Sequence, residues 1–454
     1  MSKSIKVKGF LKDVSGINRI MAARHEVREN ASATPDPKDF VADIAKSLHP
    51  DAMRVRVTEV RDSSPTSRTY RFVSENGHIP PFQSGQCVNF RLQIGKSTLT
   101  RPYSISSAPY EARPGKSISL NESSGFGSKT TASSVKTSAS TVKTPASGNA
   151  ASDSGRKSFD ANGEPFFEIT IRRTPNCFVP DWFFENVKVG DVLDANLPFG
   201  TFYWEPLRDT KNLVALAGGS GITPFVSMAK EIANGKMGDC TLTILYGSVR
   251  TDDIVLKDGL EAVAAKCDKI KIVHVISGDV TKAAGISADN SYEQGFVTRA
   301  LIEKYMGENP TFYFCGPLPM YRAMKKALEE MGVPERRFRC DVLASPADPA
   351  VLPGYPAENR GKTYRITVVR GIEEDVVEAK GEWPVAVALE RAGIPVDTHC
   401  RGGACGFCRS QLLSGDIFVS PLNDGRRMMD KELGWFHPCA AWPLSDLKIK
   451  IPIL

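Results

Sequence analysis

From Met53 onward the apolar positions come in short alternating runs: MRVRVTEV, SRTYRFVS, QCVNFRLQI and RPYSISSA, then FFEITIRR and DVLDANLPFGTFYW. They are rich in Val, Tyr, Phe and Thr, with turn residues between them. A period of two describes half-buried strands, and a series of such strands predicts an antiparallel β-barrel over residues 51–205. Past residue 206 the pattern changes. NLVALA, TLTILY, IKIVHVI and TFYFC are nearly continuous apolar runs, separated or followed by the helical stretches FVSMAKEIA, LEAVAAKC, TRALIEKYM and MYRAMKKALEEM. Strands apolar on both faces, alternating with helices, predict a parallel sheet covered on both sides over residues 206–343. Residues 362–454 read as a third, α+β module: a strand (YRITVVRG), a helix (VAVALERAG), a Cys-rich loop and a closing strand (LKIKIPIL).

The connecting segments have their own signatures. Residues 344–361 carry Pro346, Pro349, Pro353 and Pro356 and are expected to form an extended linker. Residues 1–50 are a polar extension. One amphipathic helix is expected over 35–49, with Phe40, Val41, Ile44, Ala45 and Leu48 on one face, packed on the next domain. Between about 114 and 158 the chain is rich in Ser, Thr, Lys and Gly. Too little apolar surface is present to offset ordering entropy, so this segment reads as a disordered insert in a barrel connection.

Composition narrows the class. The chain has 454 residues, 41% hydrophobic and 24% charged, enough for two to four domains. No apolar run approaches the roughly 20 residues that span a bilayer. The start, MSKSIKVKGFLKDV, lacks the apolar core of a secretory signal, so a cytoplasmic protein is expected. A net charge of +6 spread over 58 basic and 52 acidic residues points to neither nucleic acid nor a membrane surface.

Of ten cysteines, Cys87, Cys177, Cys240, Cys267, Cys315 and Cys340 are scattered, while Cys400, Cys405, Cys408 and Cys439 fall in the last 55 residues. Disulfides are rare in the cytosol, so the C-x4-C-x2-C spacing points to a metal or a cluster. Thiolates are soft ligands, and the paired C-x2-C knuckles of a zinc site are absent. Gly402, Gly403 and Gly406 let the loop fold closely and aim backbone N–H groups at the sulfurs. The spacing is that of plant-type [2Fe–2S] ferredoxins.

Two further motifs accompany it. Gly218-Gly219-Ser220-Gly221-Ile222-Thr223-Pro224 lies between a strand and a helix, where glycines admit a pyrophosphate to the helix N-terminus. Cys315-Gly316-Pro317 ends the strand TFYF, at the edge of the sheet where ligands bind. Arg101-Pro102-Tyr103-Ser104, followed by ISSAP on a barrel strand, resembles the flavin motif of the ferredoxin–NADP reductase superfamily. Taken together, residues 52–454 resemble the reductases typified by phthalate dioxygenase reductase, vanillate demethylase reductase and the NADH oxidoreductase of hybrid-cluster protein.

That resemblance implies a multidomain architecture: a flavin-binding antiparallel β-barrel, a nucleotide-binding α/β domain and a β-grasp ferredoxin domain. It implies that Arg101 pairs with a flavin phosphate, that Pro102 and Tyr103 lie against the flavin, and that Ser104 reaches its reactive edge. Gly219, Gly221, Thr223, Cys315 and Gly316 would bind the nicotinamide dinucleotide, with Ser104 and Cys315 at the hydride-transfer centre. Cys400, Cys405, Cys408 and Cys439 would hold the cluster. The implied function is an oxidoreductase passing electrons from NADH through flavin and cluster to a redox protein such as an oxygenase or a hybrid-cluster protein. An electron-entry subunit of a larger complex, without turnover of its own, is the alternative.

The chain departs from the family in three places. Asn176-Cys177-Phe178-Val179-Pro180-Asp181-Trp182 has Pro180 where a Ser usually binds the flavin pyrophosphate; FAD is expected, with FMN the alternative. Tyr246-Gly247-Ser248-Val249-Arg250 lies where the adenosine ribose binds. Arg250 there suits a 2′-phosphate, yet NADH is expected over NADPH. Residues 362–454 hold 12 basic and 12 acidic residues, so a simple acidic docking face is not indicated.

Overall fold

The computed structural model describes residues 10–30, 40–48, 50, 52–113, 164–173, 178–278, 291–341, 348–398, 400–403, 405–421 and 424–452. The expected insert over 114–158 and the pair Asn176–Cys177 lie outside them. Residues 1–48 and 49–454 form separate units. In the first, α1 (Phe10–Glu29) is a 20-residue helix that the sequence reading missed, because FLKDVSGINRIMAARHEVRE has no sustained apolar stripe. The expected amphipathic helix is α2 (Phe40–Leu48), and it buries none of its residues.

The second unit begins with β1 (Met53–Ser64), β2 (Ser67–Ser74), β3 (Cys87–Ile94), β4 (Ser97–Ser104), β5 (Phe167–Arg172) and β6 (Val192–Phe199). They pair antiparallel in the order β4-β3-β6-β1-β2-β5. The sheet closes on itself where Ile105, just past β4, bridges Ile169 of β5. Alternation along each strand sends Val55, Val57, Tyr70, Phe72, Phe90 and Ile169 inward. Helix α3 (Phe178–Asn186) plugs the end of the barrel with Phe183, whose ring meets Tyr70, Phe90 and Tyr103 edge-on at 5.5, 5.9 and 5.7 Å.

The parallel sheet contains β7 (Asn212–Gly218), β8 (Thr241–Ser248), β9 (Ile270–Ile276), β10 (Ser291–Gln294), β11 (Thr311–Cys315) and β12 (Phe338–Asp341), ordered β10-β9-β8-β7-β11-β12. Successive residues of β7 face opposite layers. Leu213, Ala215 and Ala217 pack with α4 (Thr223–Ala233) and α5 (Lys257–Ala264); Val214 and Leu216 pack with α6 (Arg299–Tyr305) and α7 (Leu318–Glu330). The short edge strands β10 and β12 were not anticipated, since SYEQ and FRCD carry no apolar run. From β7 the order departs in both directions, which leaves a crevice between the carboxyl ends of β7 and β11.

Residues 348–361 are not the extended linker expected from their prolines. They form two 3-10 turns, Pro349–Val351 and Ala357–Asn359, and Leu352 packs against Phe418 and Trp442. The last module sets α8 (Val385–Arg391) and α9 (Met428–Glu432) among β13 (Thr363–Arg370), β14 (Glu373–Lys380), β15 (Ser410–Ser414), β16 (Ile417–Val419), β17 (Trp435–Phe436), β18 (Ala441–Pro443) and β19 (Leu447–Lys450). The main sheet runs β14-β13-β19-β15-β17, with β13 and β19 parallel. Helix α8 covers it with Val385, Ala386, Ala388 and Leu389. This is the β-grasp arrangement of a ferredoxin domain.

One buried ion network braces the barrel. Glu168 on β5 is 4% exposed and accepts paired bonds from Arg61 at 2.8 Å each and one from Arg71 at 3.0 Å. Burial alone would raise its pKa, but Arg61, Lys230 and Arg71 outweigh that and hold it at about 2, against an ordinary 4.5. A depressed folded pKa contributes stability above the unfolded pKa and loses it as pH falls. We therefore expect Glu168→Gln to cost about 2–4 kcal/mol at neutral pH, because two arginines lose their buried charged partner and keep only the more exposed Glu59. The gap between wild type and variant should narrow between about pH 4.5 and pH 2. Urea unfolding across that range checks both, and a variant as stable as wild type at pH 7 would disprove the network's role.

Candidate functional site

Strand β4 ends in the tetrad Arg101–Ser104, paired with β3 so that Ser104 stands opposite Cys87 and Tyr103 opposite Val88. The Tyr103 ring is held edge-on by Phe90 at 6.2 Å and by Phe183. Ser104 is buried, and its hydroxyl has no hydrogen-bond partner among the described residues. A buried hydroxyl without a partner costs about 1–3 kcal/mol, so its placement suits a ligand that supplies one.

Across the crevice, β7 runs into a 3-10 turn, Gly219–Ile222, and then into α4. Gly219 has φ +55°, a conformation that favours glycine. A Cβ on Gly221 would stand 2.1 Å from the carbonyl oxygen of Cys315, and one on Gly218 would stand 2.8 Å from the Pro317 ring. The glycine turn and the Cys315-Gly316-Pro317 turn are therefore in contact, and only glycine permits it. Tyr246, buried on β8, sets its hydroxyl 2.9 Å from Gly219 O and 3.0 Å from Val255 O, which anchors the turn from beneath.

The C-terminal module reaches the same place through the loop after α8. Thr398 N–H donates to Thr100 Oγ1 at 3.1 Å, and the two threonine hydroxyls lie 2.6 Å apart. Asn89 donates to Thr398 O at 3.3 Å, and the rings of Phe407 and Phe199 meet edge-on at 6.1 Å. The cysteine loop turns at Arg401 (φ +52°), Gly403 (φ +80°) and Gly406 (φ +75°). The N–H groups of Gly402 and Cys405 both point at Cys400 Sγ at 3.4 Å, and the sulfurs of Cys408 and Cys439 are 3.3 Å apart. His437 braces the loop with Nδ1 2.6 Å from Gly403 O. Among the described residues no three His, Cys, Asp or Glu side chains form a single-ion site, although the Cys439 sulfur contacts both Cys400 and Cys408. Four thiols with N–H groups aimed at one sulfur fit a [2Fe–2S] cluster.

These elements enclose a single cavity of about 550 Å³. Arg101, Pro102, Tyr103 and Ser104 line it, with Gly219, Gly221, Thr223, Cys315, Gly316 and Cys400. The expected residues of all three modules are thus brought together, except that Cys405 opens onto a neighbouring groove of about 930 Å³ and Cys408 and Cys439 are buried behind the loop. Arg250 is not on the cavity. It is exposed, and its Nε donates to Asp252 at 2.7 Å.

Several residues on the cavity were not singled out from sequence. Arg172, at the end of β5, donates to Asp253 at 2.7 Å and to Thr66 at 3.1 Å, and its guanidinium lies against Gly219. Its basic pair with Arg173 at a strand end is a weak signal. Asp341 ends β12 opposite Cys315. Its side chain keeps some exposure to the two cavities but is shielded from bulk water, and burial, with the Cys400 sulfur nearby, pushes it up to about 7. Arg401 lines the cavity beside Cys400, and Glu390 of α8 lies behind it. Burial and the charge of Arg401 pull Arg101 below the usual arginine range despite its contact with Glu390. No sequence pattern marks Glu390, because its partners are distant in the chain.

Comparison with known proteins bears out the resemblance. The oxidoreductase NAD-binding domain family matches residues 215–326, and the 2Fe-2S iron-sulfur cluster binding domain family matches residues 368–443, which include all four cysteines. The chain is 28% identical over 286 residues to the ferredoxin reductase component of 3-ketosteroid-9-alpha-monooxygenase from Mycolicibacterium smegmatis, covering 61% of this chain and 75% of that protein. It is 23% identical over 409 residues to the glycine betaine monooxygenase reductase subunit of Pseudomonas aeruginosa, covering 87% and 94%. The solved structure of phthalate dioxygenase reductase superposes with a TM-score of 0.56 at 16% identity, covering 89% of this chain and 98% of that one, a likeness of fold.

The contact between the two turns is directly testable. In Gly221→Ala the new methyl group meets a backbone oxygen, which cannot rotate away. We expect a loss of about 1–3 kcal/mol in thermal unfolding and a rise of at least about tenfold in the NADH dissociation constant. An unchanged NADH affinity would show that this turn does not carry the nucleotide.

Proposed function

The chain joins an oxidoreductase NAD-binding domain to a C-terminal 2Fe-2S iron-sulfur cluster binding domain, and on that premise we propose that it is the reductase component of an oxygenase-type system. It takes electrons from NADH and delivers them through a flavin and a [2Fe–2S] cluster to a protein acceptor. The observation that carries this reading is the single cavity on which the Arg101–Ser104 tetrad, the glycine turn, Cys315 and Cys400 all open. The bound cofactors supply the redox chemistry, two electrons from the nicotinamide being passed on one at a time, while the protein supplies position, shielding and tuning. The relatives named above are reductase or ferredoxin reductase components of monooxygenases, which supports an oxygenase as the acceptor.

The roles of the residues follow from what surrounds them. Arg101 offers a guanidinium fork to a flavin phosphate. Tyr103, fixed by Phe90 and Phe183, offers a flat face, and the Ser104 hydroxyl awaits a partner at the flavin edge. Gly219, Gly221 and Thr223 admit a pyrophosphate to the start of α4, and Arg172 adds a cation from the barrel side. Cys315 and Gly316 face the nicotinamide. Val179 and Pro180, at the start of α3, also line the cavity, compatible with the longer diphosphate of FAD as well as with FMN. Residues 51–205, 206–343 and 362–454 are the flavin, nucleotide and cluster domains of this scheme.

Asp252 bears on the choice of nucleotide. It occupies the fork of Arg250, the cation expected to suit a 2′-phosphate, and its own charge would repel that phosphate. This favours NADH. We expect wild type to prefer NADH, and Asp252→Asn to raise kcat/KM for NADPH at least about fivefold by freeing Arg250. A wild-type preference for NADPH in steady-state kinetics would overturn this assignment. No helix among the described residues is long and apolar enough to cross a membrane. The four reduced thiols a cluster needs suit the cytoplasm, where we place the protein.

The division of labour can be tested by removing one cluster ligand. Cys405→Ser should leave NADH-to-ferricyanide turnover within a few-fold of wild type, since that needs only nucleotide and flavin. Reduction of cytochrome c and of the oxygenase should fall by at least about 100-fold, because the one-electron exit is lost. Metal analysis of wild type should give about two irons per chain and acid extraction one flavin. Zinc in place of iron, or cytochrome c reduction that survives in Cys405→Ser, would refute the scheme.

A further inference from the structure

Three charged side chains meet where the C-terminal module docks on the barrel. Glu390 of α8 is 1% exposed, yet it belongs to the C-terminal module and faces the Arg101–Ser104 tetrad through Arg101. Its two oxygens accept a paired bond from Arg401, Nη1 to Oε1 at 2.5 Å and Nη2 to Oε2 at 3.0 Å. The same Oε1 accepts from Arg101 Nη1 at 3.2 Å. A second link closes the ring: Arg401 Nη1 donates to Thr398 Oγ1 at 2.9 Å, and Thr398 is bonded to Thr100, the neighbour of Arg101. One carboxylate is therefore shared by two guanidiniums that come from different modules.

The arrangement has a direction. Both arginines are largely buried, 18% and 10% exposed, and both line the 550 Å³ cavity, whereas Glu390 stands behind them. The three groups together carry one positive charge more than negative in a place with little water; the Cys439 and Cys408 sulfurs offset part of it at Arg401, while Arg101 is left to share Glu390. Excess buried charge is costly unless a counter-charge meets it. The Arg401 backbone adds a further cost, since φ +52° is rare outside glycine and persists only when surrounding contacts hold it. The paired bond to Glu390 does so, and it turns the guanidinium toward the cavity wall beside Arg101. Two planar forks side by side, backed by a carboxylate, match an anion with several acceptor oxygens.

We propose that the flavin phosphate is held by arginines of two modules, Arg101 of the barrel and Arg401 of the cysteine loop, with Glu390 as the positioning residue between them. This rests on the flavin reading of the site above and deepens it. Flavin binding and docking of the ferredoxin module are then thermodynamically linked: whatever strengthens one strengthens the other by the same factor. The electron donor brings its acceptor into place through its own phosphate.

The test uses the full chain, stripped of flavin with its cluster intact, titrated with FMN and with riboflavin, which lacks the phosphate; FAD is titrated in parallel. The quantity read is the ratio of the riboflavin to the FMN dissociation constant, which isolates the phosphate from any general loosening. Arg401→Gln should lower that ratio at least about tenfold while leaving riboflavin affinity within about threefold. Glu390→Gln loses the paired bond that aims Arg401, so the ratio should fall by about threefold, less than in Arg401→Gln. Linkage is read by melting followed at the cluster's visible absorption: FMN, but not riboflavin, should raise the midpoint in wild type, and this gain should vanish in Arg401→Gln. A ratio in Arg401→Gln within about twofold of wild type, or an equal fall in both variants, would overturn the proposal and leave the flavin site standing. A wild-type chain that binds none of the three flavins would overturn the flavin site itself, and the proposal with it.

Discussion

The docking of α8 and the loop after it on the β3–β4 hairpin is the contact on which the site depends. Thr398 lies against Thr100 with five hydrogen-bonding atoms engaged, and Glu390 is sealed between arginines of both modules. A carboxylate this buried is tolerable only with its charge matched and its oxygens bonded. Undocked, Glu390 would lose Arg101, and Cys400 would leave the cavity that the other modules already share. Apart from the Phe199–Phe407 pair the contact is largely polar, which fixes its register closely, because a shift of one residue strands buried hydrogen-bonding groups.

The second constraint is the close approach of two turns at the carboxyl edge of the parallel sheet. Gly218 and Gly221 have no room for a side chain against Cys315 and Pro317. That approach is possible because β7 and β11 are neighbours in the sheet, although about a hundred residues separate them in the chain. Strand order at this point departs in both directions from β7, so no crossover helix covers the gap. The Arg101–Ser104 tetrad, carried on the closing strand of the barrel, faces the same gap. In the proposed scheme nicotinamide and flavin would therefore be held by two different sheets, with the barrel's aromatic plug at Phe183 bracing Tyr103.

Charge is distributed to match. Arginines crowd the cavity at positions 101, 172 and 401, each held by a carboxylate that stands outside it: Glu390 for the first and last, Asp253 for the second. A cationic lining backed by anions presents a field to phosphates without leaving the apo protein grossly unbalanced. Asp341 is the exception, an acid on the cavity itself, where it meets the neighbouring groove.

Much of this was legible in the sequence, for reasons that are local. Period-two runs marked the barrel and continuous apolar runs the parallel sheet, because burial on one face or two leaves different patterns. The four cysteines, the glycine turn and the Arg101–Ser104 tetrad could be named because their chemistry needs certain residue types at short, set spacings. Helix α1 and the edge strands β10 and β12 escaped, since a surface element with weak periodicity looks like a loop. Arg250 was expected at the nucleotide, and only the fold disclosed that Asp252 holds it away from the cavity. Glu390, Arg172 and Asp341 lie in no motif, and Arg401 fills a variable position of the cysteine loop. Glu390 and Arg172 act through partners distant in the chain, 11 and 289 residues away for Glu390 and 81 for Arg172, and such pairs exist only once the modules have packed. Residue types at short range are written in the chain; a shared carboxylate between two domains is a property of their docking.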